Sequence, residues 1–132
     1  MTIQSFYPVS KITNFAEFYS NATKYRTPYF LTYMSFKKNQ SKEGGGVFFA
    51  VVTSKKGVHK RAVKRNRARR RIKNAFMIYL KTAKFPLAID IQVLFMANRS
   101  VLEATWEDLL AAVQIAMHKV ISRGHFILEA KG

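Results

Sequence analysis

The stretch of this chain whose residue types and spacing could do chemistry runs from Lys55 to Lys73, KKGVHKRAVKRNRARRRIK. Eleven of its nineteen residues are Lys or Arg, and no Asp or Glu occurs anywhere from Gly44 through Ile89. Like charges at i,i+4 weaken a helix, so a solvated face ordinarily mixes signs. RNRARRR, Arg65 to Arg71, does the opposite, and a cluster this dense calls for a polyanion beside it. The chemistry is phosphate binding. A segment that neutralises on the order of 6–10 phosphates loses roughly 10³–10⁵ in affinity between 50 and 200 mM salt.

Other chemistry is scarce. His59, His118 and His125 are in no metal-ligand spacing, the seven acids are scattered, and Glu107–Asp108 sits where a helix dipole accounts for it. No nucleophile elbow, P-loop or HExxH is present. The aromatics pose a separate question. Phe15, Tyr19, Tyr33 and Phe48 each read as core taken singly. Taken together, with Lys nearby, they would make a stacking platform for single-stranded nucleic acid, at about 1–3 kcal/mol per stacked base.

The elements that must position these residues follow from pattern. Asn14 and Glu17 form a capping box for a short helix with Phe15, Phe18 and Tyr19 on one face. Pro28 ends the loop after it. Tyr29 to Phe36 alternates as a strand, with Phe30, Thr32, Met34 and Phe36 on one side. Lys37 to Gly46 is a polar, glycine-rich connection expected to be mobile. Val47 to Thr53, apolar on both faces, is a second strand expected to pair antiparallel with the first.

The basic segment then reads as a helix from about Arg61 to Lys81. Ala68, Ile72, Ala75, Phe76 and Tyr79 form its apolar arc, with Arg65 and Arg69 at the arc's edge, stems packed and tips outward. Ala88 to Met96 is a third strand, and strand–helix–strand in this order places strands two and three parallel. Thr105 and Asp108 cap a last helix with Trp106, Leu109, Leu110, Val113, Met117, Val120 and Ile121 as its buried stripe and Gly124 as its stop. The order is α-β-β-α-β-α, without internal repeats.

Bulk numbers bound the rest. A chain of 132 residues is one domain, 1–132, with residues 1–10 and 125–132 expected to be flexible. The 48% hydrophobic content argues for a folded core, and a net charge of +16 with pI near 10.4 points to nucleic acid, an anionic surface or an acidic partner. No apolar run of about 18 residues is present. The N-terminal stretch has none of the marks of a secretory signal. Absent cysteine rules out disulfides and fits the cytoplasm.

The run Ala62 to Phe76, AVKRNRARRRIKNAF, preceded by Thr53-Ser54-Lys55-Lys56, resembles the bacterial ribonuclease P protein subunit family. That family carries a strand ending in S/A-K-K, then a helix with an RNR motif, further basic residues and an aromatic. Arg65, Asn66, Arg67, Arg69, Arg70 and Lys73 match the basic and polar positions, and Phe76 the aromatic. The resemblance spans roughly residues 10 to 121. Eight residues, Gly57 to Lys64, separate Lys56 from Arg65, more than the pattern has. Lys73-Asn74 replaces an Arg followed by an acid or amide, and Ala68 is smaller than the usual apolar residue.

The resemblance implies an α/β (α+β) two-layer sandwich of the ribosomal protein S5 domain 2 kind. Its central mixed sheet would carry a left-handed β-α-β crossover, where the general rule predicts a right-handed one. It implies a subunit of the endoribonuclease ribonuclease P, inactive alone. The RNA subunit performs Mg²⁺-dependent hydrolysis, and the protein holds no cofactor of its own. Its partners would be the ribonuclease P RNA and precursor tRNA, in the cytoplasm, with no membrane and no DNA. RNA contacts would come from Lys55, Lys56, Lys60, Arg61, Lys64, Arg65, Asn66, Arg67, Arg69, Arg70, Arg71, Lys73 and Arg99. The 5′ leader would lie in a cleft formed by Phe15, Tyr19, Tyr33, Phe48 and Ala50. A ribosomal or ribosome-assembly protein, with the same basic helix but no reason for an aromatic groove, is the alternative reading. A self-sufficient nuclease and a membrane-surface protein stand behind it.

Overall fold

Two segments of this chain are apolar on both faces, and such strands have to be covered on both sides. They form the middle of the sheet. The computed structural model describes residues 3–4, 9–12, 14–38, 46–83, 85–86 and 89–131. Its strands are β1 (Ile3–Gln4), β2 (Val9–Lys11), β3 (Thr23–Arg26), β4 (Phe30–Lys38), β5 (Val47–Val52), β6 (Phe85–Pro86) and β7 (Ile89–Ala97). Its helices are α1 (Phe15–Asn21), α2 (Ala62–Thr82) and α3 (Trp106–Lys131), with a 3₁₀ turn at Arg99–Leu102. Five strands make one mixed sheet in the order β2-β5-β7-β4-β3, and β1 pairs with β6 separately.

The register corrects one expectation. β4 and β5 are not an antiparallel pair, because β7 lies between them. β7 pairs parallel with β5, from Val47↔Ile91 to Val52↔Met96, and antiparallel with β4 along nine residues, from Phe30↔Ala97 to Lys38↔Ile89. The reason lies in its own composition. Ile91, Val93 and Phe95 face one way and Leu94 and Met96 the other, so a place at the sheet's edge would leave one apolar row in water. The expected parallel β-α-β unit is thus β5-α2-β7. The two short strands β2 and β3 add an edge on each side, and neither is long enough to show alternation in sequence.

One face of the sheet carries α2 and α3. Ala68, Ile72, Ala75, Phe76 and Leu80 of α2, and Leu109, Val113, Ala116, Met117 and Val120 of α3, pack on Phe30, Met34, Val47, Ile91, Val93 and Phe95. Phe76 stacks on Phe49 with ring centroids 4.6 Å apart and planes 6° from parallel. The other face holds a smaller cluster under α1. Phe18 and Ile12 are buried against Leu94, flanked by Tyr33, Phe48, Ala50, Val52 and Met96.

The caps are formed as the sequence requires: Asn14 Oδ1 accepts from Glu17 N–H at 3.1 Å, and Thr105 Oγ1 from Asp108 N–H at 3.1 Å. Two details of α3 differ from expectation. Trp106 is 37% exposed and outside the buried stripe, and the helix continues through Gly124 to Lys131. One glycine inside a long helix costs only about 1 kcal/mol, too little to force a stop. β4 runs to Lys38, and most of the expected mobile connection, residues 39–45, lies outside the described residues, as do residues 1–2, 5–8 and 132 of the expected flexible ends.

Candidate nucleic-acid interface

The segment between β5 and α2 is short of acids but not of internal bonds. Gly57 N–H donates to Ser54 Oγ at 2.8 Å and Val58 N–H to Ser54 O at 3.0 Å, closing a turn that displays Lys55 and Lys56. Val58 is fully buried and anchors it. Three successive carbonyls are then gripped by guanidinium groups. Arg99 Nε donates to Val58 O at 3.2 Å, and Arg65 Nη1 to His59 O at 3.1 Å and Lys60 O at 2.8 Å. Charge-assisted bonds of this kind are roughly twice as strong as neutral ones. The loop is therefore held in one shape as it enters α2.

The structure divides the cations by role. Arg65, Arg69, Arg71 and Arg99 are tied to the protein itself. Arg69 reaches Thr53 Oγ1 at 2.7 Å and Asn66 Oδ1 at 3.0 Å, and Arg71 donates to the carbonyls of Val101 and Ala104, pinning α2 to the turn before α3. Each guanidinium has five N–H donors, so those facing outward stay open. Lys55, Lys56, Lys60, Arg61, Lys64, Arg67, Arg70 and Lys73 make no hydrogen bond from their side chains and no ion pair among the described residues. Apart from Lys64, which is half-buried, these eight side chains are exposed. Asn66 is exposed as well, its amide oxygen engaged by Arg69.

Arg99, distant in sequence, joins this patch. Together with His59, Lys64, Arg67, Leu102 and Glu103 it lines a cavity of about 360 Å³ at the start of α2. His59 Nδ1 accepts from Arg61 N–H at 3.1 Å. Partial burial, then Arg99, Lys64, Arg61 and Lys60, hold its pKa below the usual 6.5, so the ring is neutral at pH 7.

The aromatic residues gather on the opposite face of the sheet. Tyr19 meets Tyr33 edge-on at 5.1 Å between centroids and lies 6.3 Å from Phe15. Phe15 is 42% and Tyr19 40% exposed, a cost that core residues do not ordinarily carry. Phe48 and Ala50 of β5 turn to this face, in one cluster with Tyr33 and Leu94, and Tyr33 meets Tyr19 of α1, so the five residues expected to form the trough share one face of the sheet. Lys24 Nζ stands 6.0 Å from the Tyr33 ring centroid, adding positive charge at the rim. Burial, then Tyr33, raises the Tyr19 pKa above 10.0, so the phenol stays a neutral donor. β5 links the two surfaces: Phe48 and Ala50 lie on the α1 face, and Thr53 to Lys56 continue from the same strand into the basic loop.

His59 and Lys24 were invisible to motif reading. Lys24 sits opposite Tyr33 only through the β3–β4 register, and His59 joins Arg99 only through the fold. Among the described residues no three His, Asp or Glu side chains are grouped to hold a metal ion, and no helix is long and apolar enough to cross a membrane.

Comparison with known proteins agrees with this architecture. The Staphylococcus aureus RNase P protein structure superposes with a TM-score of 0.52 at 22% identity, covering 85% of this chain and 92% of that one. The Thermotoga maritima RNase P protein gives 0.55 at 16% identity, covering 77% and 89%. At such identities the likeness speaks for the fold alone. A comparison with curated protein sequences finds no match. The family model for ribonuclease P matches residues 4–121, nearly the whole described body including the basic helix and the trough, and the chain belongs to that family.

Proposed function

We propose that this subunit of ribonuclease P binds the catalytic RNA through the loop and helix from Lys55 to Lys73, with Arg99, and holds the single-stranded 5′ leader of precursor tRNA in the aromatic trough. What supports the reading is that cations without bonded partners among the described residues and an exposed aromatic cluster lie at the two ends of β5. Phosphates on folded RNA offset the repulsion among the cations of α2. Unstacked leader bases find ring faces at Phe15, Tyr19 and Tyr33, and Lys24 meets the backbone between them.

On this reading the protein supplies no acid, base or nucleophile. It lowers phosphate repulsion where substrate and RNA subunit meet, so fewer divalent ions would be needed, while the RNA subunit with its Mg²⁺ would supply the hydrolysis that frees the mature 5′ end. Reconstitution tests this. The protein added to a ribonuclease P RNA at low Mg²⁺ is expected to restore leader cleavage, with neither component active alone under those conditions. No gain in cleavage on adding the protein would refute the proposal.

A further inference from the structure

The cavity at the start of α2 has walls that the fold fixes before any ligand arrives. Arg99 is held by Val58 O, and Arg71 holds the 101–104 turn that carries Glu103. On the opposite wall, Arg65 grips the carbonyls of His59 and Lys60. Into this space the protein brings Lys64, Arg67 and Arg99 as cations, Glu103 as the one acid, and His59. A neutral imidazole carries its proton on one nitrogen only. With Nδ1 accepting from Arg61 N–H, that proton is on Nε2. The cavity therefore combines two unbonded cations, Lys64 and Arg67, and the anchored Arg99 with one directional donor on a fixed loop. A volume of about 360 Å³ admits a phosphodiester with its adjoining oxygens, and three cations against one acid favour that anion over an uncharged group.

We propose that this cavity is a seat for a single phosphodiester of folded RNA, in which His59 donates through Nε2 to a phosphate oxygen while Lys64, Arg67 and Arg99 neutralise it. The inference rests on the RNA-binding reading above and adds a residue and a proton linkage to it. The charged groups facing His59 are Lys60 and Arg61 from the loop, Lys64 and Arg67 from α2, and Arg99 and Glu103 from the turn after β7. In the free protein partial burial and then the cations suppress protonation, and an anion acts on the second of these. An anion in the seat offsets them, so the His59 pKa rises on binding. The complex then holds more protons than the free protein, and affinity increases as pH falls from about 7.5 to 5.5. Glu103 opposes the phosphate, so Glu103→Gln tightens the seat.

The full-length protein binding a ribonuclease P RNA at fixed salt provides the test. At pH 7.5, His59→Ala is expected to weaken binding about tenfold and His59→Gln, which keeps an N–H donor, about threefold. Between pH 7.5 and 5.5 the wild-type protein should gain several-fold more affinity than His59→Gln. His118→Gln, on α3 and not lining the cavity, should behave as wild type. Equal affinity of His59→Ala and wild type at both pH values overturns the seat while leaving the RNA-binding reading intact. If His59→Ala unfolds, or if the wild-type protein does not bind the RNA, imidazole ¹⁵N spectra of wild type titrated with inorganic phosphate decide. A saturable Nε2 shift with a raised His59 pKa upholds the seat, and an unmoved resonance overturns it.

Discussion

Arg70 and Arg71 are neighbours with the same charge, and the structure assigns them opposite roles. Arg71 is half-buried and donates to the carbonyls of Val101 and Ala104; Arg70 is exposed and its side chain makes no bond among the described residues. Removing Arg71 with an alanine loses two charge-assisted hydrogen bonds. Buried bonds of that kind contribute about 1.5–3 kcal/mol each, and partial water access roughly halves this, leaving about 1.5–3 kcal/mol for the pair. A 132-residue chain unfolds with about 0.28 kcal/mol/K of entropy, so Arg71→Ala should lower Tm by about 5–11 °C. Arg70→Ala should change stability by less than about 0.5 kcal/mol, under about 2 °C, because it only relieves repulsion. RNA binding should invert the ranking. Arg70→Ala loses a phosphate contact and flattens the plot of log K against log salt by about one unit, whereas a folded Arg71→Ala keeps its slope within about half a unit. Thermal unfolding by circular dichroism and RNA titrations at several salt concentrations measure both. Equal Tm for the two variants, or a slope lost in Arg71→Ala without loss of Tm, would refute the division of cations into structural and free.

Three further outcomes follow from single contacts. Gly57→Ala places a methyl 2.7 Å from Ser54 Oγ, so that hydroxyl must swing away and give up its bond from Gly57 N–H; a loss of about 1 kcal/mol, or about 4 °C in Tm, is expected, and an unchanged Tm would show that this bond does not hold the turn. Thr32 Oγ1 is buried with no hydrogen-bond partner among the described residues, so Thr32→Val should stabilise the core by about 1 kcal/mol in chemical denaturation, and a loss instead would show that the hydroxyl is satisfied in solution. Tyr33→Ala should spare affinity for the RNA subunit while weakening precursor tRNA relative to mature tRNA by about 1–3 kcal/mol. Equal weakening of both tRNAs would remove the leader from the trough.

Much of the architecture was legible because local physics decides it. The α2 boundaries follow from an apolar arc at helical spacing. Those of α1 follow from Asn14 and Glu17, and the parallel β5-α2-β7 unit follows from a helix standing between two apolar strands. What misled was pairing. A glycine-rich connection between β4 and β5 reads as a hairpin, but pairing is chosen by which strand most needs cover on both faces, and β7, later in the chain, needs it most. Trp106 shows the same limit, since a helical stripe gives the buried direction without saying how far the neighbouring sheet extends.

The sequence by itself determined that a helix with no acid on it would present a dense positive surface, because charge type and helical spacing are local properties. It also marked Phe15, Tyr19, Tyr33 and Phe48 as candidates for one stacking platform. Tertiary structure alone decided which cations remain free. A guanidinium is spent or open according to the carbonyls within its reach, and those that hold Arg71 come from about 30 residues further along the chain. The same long-range closure brought Arg99 to His59 and turned Phe48 and Ala50 toward Tyr33. No spacing in the sequence encodes such meetings, because they exist only once the sheet has closed between the segments.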